Sequence, residues 1–130
     1  MKHLEPKAAW AYLQQRPEAL LVDVRMEIEY LYVGHPPNVV HIAWYEYPDM
    51  LSDAANFATL VERESGDKSR PVLLLCRSGR RSIPAGEALE AAGFTEVINV
   101  LHGFEGELDE HSQRGRLSGW RLDGLPWVQM

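Results

Sequence analysis

The sequence is poor in cysteine, and this alone excludes several kinds of protein. Its 130 residues include one cysteine, so no disulfide can form within the chain, and we expect a reducing compartment. Five histidines are present, but no two of them stand at the spacing of metal ligands, which argues against a structural zinc site. We therefore expect neither a metal nor another cofactor.

The chain also lacks the features of proteins that bind membranes or nucleic acids. No apolar run approaches the roughly 20 residues of a membrane span, and residues 1–6 contain no apolar segment typical of a secretory signal. Acidic residues outnumber basic ones, 19 to 13, which gives a net charge of −6 without a basic tail. We expect no partner membrane, no nucleic-acid partner and a cytoplasmic location.

There is no internal repeat and no low-complexity segment, and the length predicts one domain over residues 1–130. Short apolar segments alternate with helical patterns, which predicts an α/β fold with three layers, α/β/α, and a central, mainly parallel sheet of about five strands. The predicted strands are residues 3–4, 19–23, 39–42, 72–75 and 97–101. The predicted helices run from Pro6 to before Pro17, over 26–32, from Pro48 or Ser52 to about Glu64 with Met50 in the apolar stripe, and from Ile83 to before Gly93.

One stretch, residues 69–86, has no acidic residue at all. Its predicted buried strand leads directly into Cys76, and Ser82 is a suitable N-cap for the helix that follows. The turn between them carries Arg77, Ser78, Gly79, Arg80 and Arg81. A helix N-terminus and nearby cations stabilise a thiolate, and successive N–H groups in such a turn can form an anion-binding concavity. The pattern favours a nucleophile at Cys76, although a lone cysteine is more often a buried structural residue.

The segment 72–82, VLLLCRSGRRS, resembles the active-site loop of the rhodanese-like sulfurtransferases. Two other segments are similar to the same family: Leu21-Val-Asp-Val-Arg25, followed by Glu29-Tyr30 and Gly34-His35, and the closing segment 119–127, GWRLDGLPW. The resemblance covers residues 3–128 and implies the rhodanese-like fold. It differs from the family at Pro36-Pro37, where an isoleucine and a glycine usually follow the histidine.

The resemblance implies a sulfurtransferase in which Cys76 is the catalytic residue. Cys76 would take a sulfane sulfur from a small anionic donor such as thiosulfate and become a persulfide, and a thiol, cyanide or protein acceptor would then remove the sulfur. The expected substrate-binding residues are those of the loop: Arg77, Ser78, Gly79, Arg80, Arg81 and Ser82. Asp23 and Arg25 are expected to support the site, most simply as a structural ion pair. The protein is expected to be a monomer or a weak homodimer.

Two other functions stay open at this point. One is a non-catalytic binding module or sulfur carrier with the rhodanese fold, although modules of that kind often lack the cysteine that this chain retains. The other is a phosphatase or arsenate reductase on the same fold. Cysteine phosphatases have five residues between cysteine and arginine; here that position is Ser82, so the count favours sulfur over phosphate.

The segment 103–119 departs from the pattern of the family, which predicts a short glycine-rich turn followed soon by tryptophan. Here a charged stretch without clear periodicity separates the last predicted strand from Trp120. We expect an extended loop, which is either plain surface or a lid or partner surface beside the site.

Overall fold

The computed structural model describes residues 1–129, and over that range the chain forms five strands and three α-helices. In chain order these are β1 Lys2–Leu4, α1 Pro6–Gln15, β2 Leu20–Asp23, β3 Val40–His41, α2 Ala54–Ser65, β4 Val72–Leu75, α3 Ser82–Ala91 and β5 Val97–Val100. A short π-helical turn, Glu29–Val33, lies between β2 and β3, where the sequence predicts a helix over 26–32.

The strands form one sheet in the order β1-β5-β4-β2-β3, and every neighbouring pair is parallel. The strand that precedes Cys76, β4, therefore occupies the centre of the sheet. Asp23, at the end of β2, is aligned with Leu75, at the end of β4. Because parallel strands end at the same edge, the residues that follow β2 and β4 meet there, where open α/β sheets place their ligands. The predicted parallel sheet of about five strands is confirmed.

Helices cover both faces of this sheet. Alternate residues of β4 point to opposite faces, as in any strand. Leu74 belongs to the core that contains Phe57 of α2 and Leu89 of α3, whereas Leu73 packs in the core that contains Ala9 of α1. The three-layer α/β/α arrangement predicted from the sequence is therefore confirmed.

The predicted start of α2 at Pro48 or Ser52 is wrong. The helix begins at Ala54, because the Asp53 carboxylate accepts a hydrogen bond from the Asn56 N–H and caps the first turn. Met50 has φ of +53°, a left-handed conformation that a helix cannot contain. It is consequently exposed in the preceding loop instead of packing in the apolar stripe.

Residues 103–119 contain no helix or strand, and their two ends pack against each other. Gly119 lies so close to the backbone of Gly106 that a methyl group on it would come within 2.7 Å of the Gly106 nitrogen. Beyond the loop, Trp120 is fully buried and its backbone N–H donates to the Gly103 carbonyl at 2.9 Å. The loop is therefore closed at its base by backbone contacts. Within residues 1–129, none of the helices combines the length and the apolar character needed to cross a bilayer.

Candidate active site

Cys76 follows β4 directly and lies under the loop that leads into α3. Its side chain is 1% exposed, and the Gly79 N–H donates to its Sγ at 3.1 Å. Gly79 has φ of +92°, and a methyl group there would lie 3.0 Å from the His102 nitrogen. Glycine therefore suits this position on two counts, its backbone conformation and the close approach of the neighbouring chain. The result is a backbone donor directed at the sulfur.

Ser82 is not the N-cap that the sequence predicts. It is the first residue of α3, and Arg81 before it has a helical backbone and makes no side-chain cap. The Ser82 hydroxyl is fully buried, donates to Asn99 Oδ1 at 2.5 Å and lies 3.3 Å from the Cys76 sulfur. Because Arg81 already has a helical backbone, Ser82 lies inside the first turn and cannot be the N-cap, and its hydroxyl is directed at Asn99 and the sulfur.

Arg81 is held by Glu29 of the π-helical turn in a two-pronged ion pair, with N–O distances of 2.6 and 2.8 Å. Burial opposes both charges, but the paired hydrogen bonds and the charge attraction outweigh it. The pKa of Glu29 is therefore lowered, with a further contribution from the Met26 N–H, and the pKa of Arg81 is raised. Arg81 is thus a fixed cation at the edge of the cysteine loop.

The other two loop arginines also meet glutamates, in this case from the segment 103–119. Arg77 Nε lies 3.1 Å from a carboxylate oxygen of Glu105, and Arg80 lies 3.7 Å from Glu107. Arg80 is 83% exposed, so its pair is weak, whereas Glu105 is largely buried. The loop that looks strongly basic in the sequence is therefore largely neutralised in space.

A cleft of about 480 Å³ opens above this loop. Its lining includes four arginines, Arg77, Arg80, Arg81 and Arg114, against two glutamates, Glu29 and Glu105. Arg114 comes from the segment 103–119 and donates to the Gly106 carbonyl at 2.8 Å. Among residues 1–129, no carboxylate lies within 4 Å of its guanidinium. The extended loop thus supplies a cation, Arg114, to the lining of the cleft. Within the described residues, no ion pair matches the charge of this cation.

Asp23 and Arg25 form a fully buried ion pair behind the site and do not line the cleft. Arg25 donates to both carboxylate oxygens of Asp23, at 3.0 and 2.7 Å, and to the Gly34 carbonyl at 2.6 Å. Its guanidinium also lies over the Phe104 ring, 4.6 Å from the centroid. Phe104 in turn donates its N–H to the Cys76 carbonyl at 2.8 Å. The pair therefore supports the backbone that carries the cysteine.

Tyr30 is stacked between two histidines close to this ion pair. Its ring centroid lies 4.0 Å from that of His35 and 4.5 Å from that of His41, with nearly parallel planes. Burial, with the charge of Asp23, raises the pKa of Tyr30. His35 also pairs its backbone with Val128, which joins this segment to the closing one. Within the described residues, no group of three or more metal-binding side chains lies together.

Several residues of the site could not be identified from the sequence. Glu29 lies 52 positions from Arg81, and nothing local links them. Asn99 is a single polar residue in an apolar strand, which is the one visible signal that it has a buried partner. Arg114, Glu105 and Glu107 lie in the segment that the sequence singles out only as charged.

Comparison with known proteins identifies the family to which the chain belongs. The family model for the rhodanese-like domain matches residues 5–109. An uncharacterized protein of Rickettsia conorii is 31% identical over 125 residues, which cover 92% of this chain and 90% of the relative. The thiosulfate sulfurtransferase GlpE of Haemophilus influenzae is 28% identical over 105 residues, covering 81% of this chain and 86% of that enzyme.

The fold itself is matched by a crystal structure. The structure of Rv0390 from M. tuberculosis superposes with a TM-score of 0.84 at 43% sequence identity, and it covers 100% of this chain and 98% of its own. A solution structure of a rhodanese-like domain from Anabaena, at 18% identity and a TM-score of 0.70, shows the same fold. The chain belongs to the family of rhodanese-like domain proteins.

Proposed function

We propose that this protein is a sulfurtransferase that moves a sulfane sulfur from a small anionic donor, such as thiosulfate, to cyanide or a thiol. The observation that carries the proposal is the setting of Cys76: its Sγ accepts the Gly79 N–H, and the loop that follows it contributes three of the four arginines that line the cleft. A hydrogen-bond donor aimed at sulfur, together with nearby cations, favours the thiolate that such chemistry needs. The relatives named as sulfurtransferases support the same conclusion.

In the first step, the Cys76 thiolate attacks the outer sulfur of thiosulfate. A new S–S bond forms to Cys76, the old S–S bond breaks, and sulfite leaves with the bonding electron pair. The product is a persulfide anion whose charge lies on the transferred sulfur. Arg114 and the three arginines of the loop line the cleft, and cations of this kind bind the anionic end of such a donor.

In the second step, cyanide or a thiolate attacks the outer sulfur of the persulfide. The S–S bond to Cys76 breaks, thiocyanate or the acceptor's persulfide leaves, and the thiolate of Cys76 returns. The Gly79 N–H stabilises the Cys76 thiolate at the beginning and end of the cycle without having to move. Neither step requires a cofactor or an outside oxidant.

The depth of Cys76 favours sulfur over phosphate chemistry. The thiol is 1% exposed, and Ser82 stands at the position where a cysteine phosphatase has its arginine. A sulfane sulfur can reach such a thiol as a single atom at the end of a donor. An aryl phosphate would have to bring a tetrahedral group to the same depth.

Intact mass measurement tests the proposal directly. Incubation with thiosulfate should raise the mass by about one sulfur atom, and a reducing thiol should reverse the change. Cys76→Ser should abolish both the adduct and the formation of thiocyanate from cyanide, while the thermal unfolding curve stays close to that of the wild type. Ser65→Ala, another buried but remote position, is the matched control and should keep full activity.

The other outcomes point to the alternative functions. A reversible adduct without turnover would support a sulfur carrier. No adduct with thiosulfate or with a protein persulfide would support a non-catalytic binding module. Hydrolysis of an aryl phosphate or reduction of arsenate that is lost in Cys76→Ser would overturn the proposal in favour of the phosphatase or arsenate reductase.

A further inference from the structure

A line of hydrogen bonds runs from the Cys76 sulfur to the surface of the protein. The Ser82 hydroxyl lies 3.3 Å from the sulfur and donates to Asn99 Oδ1 at 2.5 Å, and Asn99 Nδ2 lies 3.1 Å from Nδ1 of His3. Cys76, Ser82 and Asn99 are buried, and His3 is exposed. The strand register places Asn99 of β5 directly beside His3 of β1.

For the amide orientation of Asn99 in the structure, the protons in this line follow from the donors and acceptors that each group has. Asn99 Nδ2 is a donor, so His3 Nδ1 accepts and the ring carries its proton on Nε2. Ser82 has one hydroxyl proton, which goes to Asn99 Oδ1. The hydroxyl can therefore only accept from Cys76, so the contact at 3.3 Å is a thiol S–H donating to Ser82 Oγ.

This orientation of the Ser82 hydroxyl suits the thiol form of Cys76, whereas the Gly79 N–H suits the thiolate. When Cys76 loses its proton, an oxygen lone pair of Ser82 faces the negative sulfur unless the hydroxyl turns to donate to it. Turning the hydroxyl breaks its bond to Asn99 and leaves a buried carbonyl oxygen without a donor, which is unfavourable. If the Asn99 amide rotates by half a turn, its Nδ2 donates to Ser82 and the hydroxyl proton is free for the sulfur.

His3 determines which amide orientation is satisfied. With its proton on Nε2, the ring accepts from Asn99 Nδ2, and the orientation seen in the structure holds. With a proton on Nδ1, the ring donates to Asn99 Oδ1, and the rotated amide is satisfied instead. The ring is exposed, so it exchanges protons with water, and the proton that leaves the thiol also goes to water.

We propose that Asn99 is a positioning residue for the nucleophile. The orientation of its amide sets whether the Ser82 hydroxyl accepts from the Cys76 thiol or donates to the thiolate, and His3 biases this orientation. The inference rests on Cys76 being the nucleophile of the proposed function. A polar contact with a purely structural role would need only a hydrogen-bond partner for each of its buried polar atoms. Here the partner of Asn99 is the Ser82 hydroxyl, which lies 3.3 Å from the sulfur, so the orientation of Asn99 has a chemical consequence.

The rate of Cys76 alkylation by iodoacetamide, followed by intact mass at neutral pH, tests the inference. Asn99→Leu removes the acceptor with little change in shape, so the Ser82 hydroxyl is free for the thiolate. The rate should rise about tenfold, the equivalent of one hydrogen bond to a charged group. Asn56→Leu, at an exposed position of α2, is the matched control and should react at the wild-type rate.

Two further comparisons separate positioning from general loosening of the core. In a Ser82→Ala background, Asn99→Leu should have no effect on the rate, because the hydroxyl through which it acts is gone. His3→Phe cannot accept a hydrogen bond from Asn99. It should raise the alkylation rate about threefold, which is less than the effect expected for a whole hydrogen bond. His3→Gln can still accept and should match the wild type. The variants at position 3 alter an exposed side chain, so they decide the matter even if Asn99→Leu fails to fold.

The inference is overturned if Asn99→Leu reacts no faster than the wild type, if its gain persists without Ser82, or if His3→Phe and His3→Gln react at equal rates. Alkylation needs no sulfur donor or acceptor. If thiosulfate gives no adduct while these rate ratios hold, the proposed function fails and the positioning role of Asn99 stands.

Discussion

The ion pair between Glu29 and Arg81 offers the sharpest test of how the site is held together. The two side chains share two hydrogen bonds, at 2.6 and 2.8 Å, and are 13% and 17% exposed. They join the π-helical turn to the end of the cysteine loop, 52 residues apart in the chain. Glu29→Gln keeps the size of the side chain but removes its charge. The Arg81 cation then stays partly buried without a counter-charge.

The expected loss of stability lies between two known limits. An exposed ion pair contributes less than about 1 kcal/mol. Removing one partner of a fully buried pair costs about 3–5 kcal/mol. Because the pair is mostly buried and its two-pronged geometry is favourable, we expect Glu29→Gln to lower the free energy of unfolding by about 2 kcal/mol at pH 7.

The difference in the free energy of unfolding between the wild type and Glu29→Gln should depend on pH, and its direction follows from the pKa of Glu29. The pKa of Glu29 is lowered in the folded protein, so the unfolded state binds a proton at this carboxylate more readily than the folded state does. The stabilisation by Glu29 is therefore complete above the usual glutamate value of about 4.3 and is lost as the pH falls through the lowered folded value. The difference in the free energy of unfolding between the wild type and Glu29→Gln should therefore become smaller below about pH 4.

Urea unfolding at pH 7 and at pH 3.5, followed by circular dichroism, measures both effects. Glu27→Gln is the matched control, because Glu27 is an exposed glutamate two positions away whose backbone N–H, and not its side chain, is engaged by Glu46. The reasoning is refuted if the two variants lose equal stability at pH 7. A gap for Glu29→Gln that is as large at pH 3.5 as at pH 7 would also refute it.

Three other changes test separate parts of the site. Gly79→Ala should destabilise the fold by about 1–2 kcal/mol and slow persulfide formation, since the residue has a positive φ and a methyl group would lie 3.0 Å from a neighbouring backbone nitrogen; unchanged stability in thermal unfolding would contradict this. Asp23→Asn should cost about 3–5 kcal/mol in urea unfolding, because Arg25 then stays buried as an uncompensated cation; a loss under about 1 kcal/mol would show that the pair is not held as the structure has it. Arg114→Ala should raise KM for thiosulfate by about tenfold, the equivalent of one charge-assisted contact, with a smaller effect on kcat. Arg116→Ala, in the same loop but outside the cleft lining, is its control, and equal effects of the two would contradict a role for Arg114.

The sequence alone was sufficient to predict the fold and to single out Cys76 as the centre of the candidate site. Apolar segments that alternate with helical patterns are a local property, and they predict the parallel sheet and its covering layers. The position of Cys76 between a buried strand and a helix places it at the ligand-binding edge of such a sheet. Both inferences use only neighbours along the chain.

The electrostatic character of the site was decided by the tertiary structure. The segment 69–86 has no acidic residue in sequence, yet each of the three arginines in the turn after Cys76 meets a glutamate from elsewhere: Glu29, Glu105 or Glu107. Such pairs form only where the fold brings two distant loops to the same edge of the sheet. Neighbouring residues in the sequence do not indicate which loops meet in this way.

The role of Ser82 shows the same limit at a single residue. A serine at the start of a predicted helix is a good N-cap by local rules, and that prediction was wrong because the helical backbone already includes Arg81, which places Ser82 inside the first turn. Its buried hydroxyl donates to Asn99 of another strand. A hydroxyl has one proton and can give it to one acceptor at a time. Which acceptor receives it was settled by the pairing of β5 with β4, which only the folded chain provides.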